Sequence, residues 1–78
     1  MKVAVNLYAG LERYSPTGQR KGNIVEIEDS ATINELLHKI GVPVEEVKLI
    51  MVNGRHQDLD YELKNNDTVG LFPPIGGG

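Results

Sequence analysis

Hydrophobic and polar positions alternate from the start of the chain. In KVAVNLYA, residues 2–9, Val3, Val5 and Leu7 share one face, with Lys2, Ala4 and Asn6 opposite. A period of two marks a half-buried strand. GLERYSPTGQRKG follows, punctuated by Gly10, Pro16, Gly18 and Gly22, and reads as a long loop. NIVEIE, residues 23–28, is a second strand with Val25 and Ile27 inward, pairing with the first as a hairpin. The period then changes. Ile33, Leu36, Leu37 and Ile40 fall at i, i+3, i+4 and i+7, the stripe of an amphipathic helix. Thr32 suits its N-cap and Glu35 completes a capping box. Gly41 fits the left-handed position that ends a helix, and Pro43 bars continuation.

VEEV, residues 44–47, predicts a short further helical turn, and KLIMV, residues 48–52, a third strand. Asn53–Gly54 tolerates the positive φ angles of a type I′ turn, so RHQ should return as a short strand. LDYEL, residues 59–63, is expected to form a short helical turn and KNND, residues 64–67, a second tight turn. TVGLF, residues 68–72, closes the set, with Val69 and Leu71 inward and Thr68, Gly70 and Phe72 outward. The order β-β-α-β-β-β predicts an α+β fold, a mixed sheet with one main helix packed on one face. No second helix covers the other face. If Ile50 and Val52 face the helix, Leu49 and Met51 lie on the open face near Phe72. An apolar patch there, on a small acidic domain, points to a partner surface.

Composition narrows the chemistry. At 78 residues the chain is one small domain, of a size that buries only about 60% of its unfolded surface. There is no cysteine, which excludes a disulfide framework and a thiolate zinc site. His38 and His56 lack the spacing of a metal pair, and Asp58, Asp60 and Glu62 lack the EF-hand pattern. The glycine-containing first loop has no GxxxxGK[ST] spacing for a phosphate cradle. Net charge is −3, and Arg20–Lys21 is the only basic pair, so nucleic-acid binding is disfavoured. No apolar run approaches membrane-spanning length and no signal peptide precedes the first strand, so a soluble cytoplasmic domain is expected. Ser15, Ser30 and the threonines have no nearby His–Asp arrangement for nucleophilic catalysis.

The chain closes on LFPPIGGG, residues 71–78. With the VNGR hairpin, the L-x-x-x-D-x-V-x-L-F-P-P run and the final Gly77–Gly78, it resembles the ubiquitin-like sulfur-carrier family, whose fold is the β-grasp. The resemblance covers nearly the whole chain. FPP before the glycines and YAGLERY in the first loop are closer to the small subunit of molybdopterin synthase than to the thiamine-pathway carrier. Two positions depart from the pattern. Asn66–Asp67 stands where Gly-Asp is usual, and Gly76 is a third glycine.

The resemblance implies a carrier protein rather than an enzyme. It implies a β-grasp domain over residues 1–72 and a flexible tail over 73–78. An E1-like adenylyltransferase would use ATP to activate the carboxylate of Gly78, and a sulfur donor protein would convert it to a thiocarboxylate. The large subunit of molybdopterin synthase, or a thiazole synthase, would consume the sulfur; no cofactor would be bound by the carrier itself. Gly76, Gly77 and Gly78 would enter the partner's active site, and Leu49, Met51, Phe72, Pro73, Pro74 and Ile75 would form the interface. The physical logic agrees. Pro73–Pro74 stiffens the start of the tail. Glycine threads a narrow tunnel. The extended stretch from Pro73 to Gly78 reaches at most about 20 Å. Two alternatives remain open: a ubiquitin-like protein modifier, activated in the same way, and a non-covalent β-grasp interaction module with an inert tail.

Overall fold

The computed structural model describes residues Met1 to Pro74. Its elements run β1 (Lys2–Leu7), a 3₁₀ turn (Leu11–Tyr14), β2 (Asn23–Glu26), α1 (Ile33–Ile40), a second 3₁₀ turn (Val44–Glu46), β3 (Leu49–Val52), β4 (Arg55–His56) and β5 (Thr68–Phe72). The sheet order is β2-β1-β5-β3-β4. The first and last strands pair in parallel at its centre, with Val5 beside Val69 and Leu7 beside Leu71. All other pairings are antiparallel. This is the expected β-grasp.

The alternation in sequence sorts the two sheet faces. Val3, Val5, Leu7, Ile50, Val52, Val69 and Leu71 are all buried, as are Ile33, Leu36 and Leu37 on α1. Leu11, Val42 and Leu63 complete the same cluster from the loops. The helix is bounded as its sequence requires. Thr32 and Glu35 form a reciprocal capping box, and Gly41 ends the helix at φ 81°. Asn53 and Gly54 both take positive φ, 52° and 82°, as a type I′ turn demands. Asn66 adopts φ 72°, so asparagine serves where glycine is usual.

Three segments differ from expectation. β1 ends at Leu7, because Ala9 and Gly10 turn to positive φ (53° and 101°) and lead the chain into the 3₁₀ turn. β2 ends at Glu26, although Ile27 still exchanges backbone hydrogen bonds with Met1. LDYEL is not helical. The Tyr61 N–H closes a turn onto the Asp58 carbonyl, Leu63 drops into the core, and Glu62 bridges to Thr32 in extended pairing. Its backbone is spent on the helix start instead, since the carbonyls of Leu59 and Tyr61 accept the N–H groups of Asn34 and Ile33.

The first loop is tied down by its own polar groups. The Tyr14 hydroxyl donates to Glu46 at 2.6 Å, and Arg13 pairs with the same carboxylate. The bond to Glu46 pushes the Tyr14 hydroxyl above its ordinary titration range. Glu12 is held below the usual carboxylate range by its own backbone N–H and that of Gly10.

One buried carboxylate organises the far end of the sheet. Asp67 is 5% exposed, and accepts hydrogen bonds from the Asn53 side chain and the Lys64 N–H, both at 2.8 Å. Asn53 in turn accepts the Thr68 N–H at 2.9 Å. The β3–β4 turn is thereby fastened to the start of β5. Asp67→Ala leaves these donors without a partner and is expected to cost about 1–3 kcal/mol in urea unfolding. Leu36→Ala, at a fully buried helix position, is expected to cost about 2–5 kcal/mol by the same measurement.

Candidate functional site

The site is built around the end of β5. This strand lies between β1, which holds it to Leu71, and β3, which holds it to Phe72. The Tyr8 N–H donates to the Leu71 carbonyl at 3.2 Å, and the Lys48 N–H to the Phe72 carbonyl at 2.8 Å. Pro73 follows at once and has no N–H with which to extend the ladder. The chain is therefore fixed through Phe72 and released from the sheet at Pro73–Pro74, where Pro74 is exposed.

The open face beside this exit is apolar. Register places Leu49 directly across from Phe72, and Met51 across from Gly70. Leu49 is 39% exposed and Met51 and Phe72 are half-buried, whereas Ile50 and Val52 are buried against the helix. The parity expected for Leu49, Met51 and Phe72 holds. His56 stands beside Met51 at the margin of this face.

Tyr8 is the residue that sequence reading passed over. Its ring stacks on Phe72 with centroids 4.5 Å apart and planes 4° from parallel. The pair lies flat over Gly70, where an added Cβ would meet Tyr8 Cε2 at 3.4 Å and Phe72 Cε1 at 3.5 Å. Gly70 thus faces outward as expected, yet it is buried, because the two rings roof it. The signal was present. Tyr8 continues the Lys2, Ala4, Asn6 parity, which is the open-face side of β1.

Ile75, Gly76, Gly77 and Gly78 lie outside the described residues. Among the described residues, no three His, Asp or Glu side chains converge as a metal site. His38 and His56 are exposed on different elements, and Asp58, Asp60 and Glu62 occupy an exposed turn. No helix among the described residues is long and apolar enough to cross a membrane.

Several solved structures share this architecture. SAMP1 from Haloferax volcanii matches with TM-score 0.77 at 22% identity, covering 100% of both chains. A candidate molybdopterin converting factor subunit 1 from Pyrococcus furiosus matches with TM-score 0.74 at 28% identity, covering 96% of this chain and 99% of that one. The complex of subunits 1 and 2 of molybdopterin-converting factor from Helicobacter pylori matches with TM-score 0.60 at 23% identity over 100% of both chains. No curated protein sequence matches. The family model described as Mut7-C ubiquitin matches residues 1–75. The chain belongs to the Mut7-C ubiquitin family, and its likeness to the ubiquitin-like sulfur carriers extends from motif to fold.

Proposed function

We propose that this protein is a sulfur carrier whose terminal carboxylate, on Gly78, is activated and converted to a thiocarboxylate for cofactor biosynthesis, molybdopterin being the favoured product. The observation that carries the reading is the exit from β5. A central strand fixed to Leu71 by β1 and to Phe72 by β3 releases a proline pair, and then a glycine run, beside an exposed apolar face. The Pyrococcus furiosus match, end to end at 28% identity, supports the molybdopterin branch. The Helicobacter pylori complex of subunits 1 and 2 supplies a precedent for docking this fold on a second subunit.

The chemistry needs no catalytic group from this chain. A carboxylate is a poor electrophile. Attack of its oxygen on the α-phosphate of ATP releases pyrophosphate and leaves an acyl adenylate. Hydrosulfide then attacks the acyl carbon, AMP departs, and the thiocarboxylate forms without net redox change. A persulfide donor delivers sulfur in the same way and requires two electrons from a thiol to release the product. An E1-like adenylyltransferase would supply the active site. This chain supplies reach through Gly76, Gly77 and Gly78, direction through Pro73 and Pro74, and docking surface through Leu49, Met51, Phe72 and Ile75. Tyr8 joins that surface as the support of Phe72.

The test is intact-mass spectrometry after incubation with an E1-like adenylyltransferase, ATP and sulfide. The expected gain is the mass difference between sulfur and oxygen, confined to the C-terminal peptide and absent after deletion of Gly78. A chain unchanged by an enzyme that activates a known carrier would overturn the reading. Isopeptide-linked conjugates to lysines, with no thiocarboxylate intermediate, would replace it with the modifier alternative.

The docking face has its own test. Phe72→Ala should weaken binding to the activating enzyme by roughly tenfold or more, as measured by titration calorimetry. Gly70→Val, which forces the Tyr8–Phe72 pair off the sheet, should do the same while Gly70→Ala does not.

A further inference from the structure

The two sheet edges are not equally protected. β4 is blunted by its brevity, at two residues. β2 has four residues and no proline. Its backbone groups divide by residue. Lys2 and Ala4, which stand opposite Glu26 and Ile24, direct their backbone away from β2: the Lys2 carbonyl accepts from Asn66, and the Ala4 N–H donates to Asp67. Met1 and Ile27 instead exchange hydrogen bonds. Antiparallel alternation then turns Val25 and Asn23 toward β1, and Ile24 and Glu26 outward. The outward N–H and C=O groups of Ile24 and Glu26 make no hydrogen bond among the described residues. Ile24 is also the most exposed large hydrophobic among them, at 65%.

The flanking charges are antisymmetric. Arg20 and Lys21 precede the strand; Glu26, Glu28 and Asp29 end or follow it. Arg20, Glu26 and Asp29 pair within the chain with Glu12, Lys2 and the N-terminus, whereas Lys21 and Glu28 take no ion pair among the described residues. An edge that is basic at one end and acidic at the other complements itself when a second copy runs antiparallel. We infer that β2 is a self-association edge, on which a second copy of this chain docks through its own β2 about a two-fold axis at Val25.

This register pairs Ile24 with Glu26 of the second copy, and Glu26 with its Ile24, so every outward backbone group on both strands finds a partner. Val25 meets its counterpart across the axis, on the side of the groove lined by Tyr14 and Ile40. Beyond the paired strands, Lys21 of one copy and Glu28 of the other flank the same end of the seam. A seam this short buries far less than the roughly 1,200–2,000 Å² of a stable complex, so the dimer is a transient one, in the sub-millimolar to millimolar range. The two-fold axis stands perpendicular to the sheet. Both helices therefore lie on one side, and both Tyr8–Phe72–Leu49 faces on the other. A partner with two docking sites would engage both copies and gain avidity. The inference uses neither the tail nor the open face, so it stands or falls separately from the carrier function.

A charge-reversal cycle on the full chain, read by sedimentation velocity and by NMR across a concentration series, tests it. In the wild type, the Ile24 and Glu26 amides should shift with concentration as the sedimentation coefficient rises, and added salt should reverse both. Lys21→Glu should weaken association roughly fivefold, as two symmetric ion pairs become repulsive. Adding Glu28→Lys to it should restore association. The two positions flank opposite ends of β2, whose four residues alone span roughly 13 Å, too far to repair one another within one copy. Glu26→Pro, which removes an outward N–H and leaves the bonds of Val25 and Ile27 to β1, should be monomeric throughout. A wild type that stays monomeric at millimolar concentration overturns the inference. So do concentration-dependent shifts centred on Leu49 and Phe72, or a double reversal that fails to restore.

Discussion

The structure depends on the parallel pairing of β1 with β5 at the centre of the sheet. A parallel pair cannot be closed by a tight turn, so the whole intervening chain becomes the connection. That connection contains the helix, which must cross the sheet to link its two halves. β2 and β3 then add on the outer sides of β1 and β5. The core follows from this arrangement, since Val5, Leu7, Val69 and Leu71 stand together under Ile33, Leu36 and Leu37.

A single helix covers a single face, and this asymmetry divides the molecule. One side is a closed aliphatic core. The other carries aromatic and apolar groups held at intermediate exposure, with the Tyr8–Phe72 stack over Gly70 as the most ordered part. The stack is possible because glycine leaves the sheet surface low at that point. The exit of β5 lies at the edge of this surface, so the apolar face and the departing chain share one residue, Phe72. Its ring lies on the open face while its carbonyl accepts the Lys48 N–H.

Much of this was legible in the sequence because the signals were local and periodic. The parity of Leu49, Ile50, Met51 and Val52, the capping box at Thr32 and Glu35, and the Asn53–Gly54 turn each declare themselves within a few residues. What was hidden depended on partners distant along the chain. LDYEL has the composition of a helical turn, but its carbonyls are claimed by the start of α1, some twenty-five residues earlier. Asp67 was legible only as part of a tight turn; its burial depends on Asn53 and Lys64 closing around it. Tyr8 required knowing that β5, not only β2, lies beside β1. The bare outer edge of β2 required the sheet order. The expectations for Ile75 and the glycines fall beyond the described residues, and rest on sequence and resemblance.

The way in which β5 is held also has a mechanical consequence. A pull on the chain beyond Pro74, directed along the strand, does not peel one hydrogen bond after another. It loads the ladders to β1 and β3 together, in shear, because β1 grips the strand to Leu71 and β3 to Phe72. Shear of a central strand requires many bonds to fail at once, whereas a terminal edge strand would unzip from its end. The domain can therefore be tugged by its tail without being unravelled.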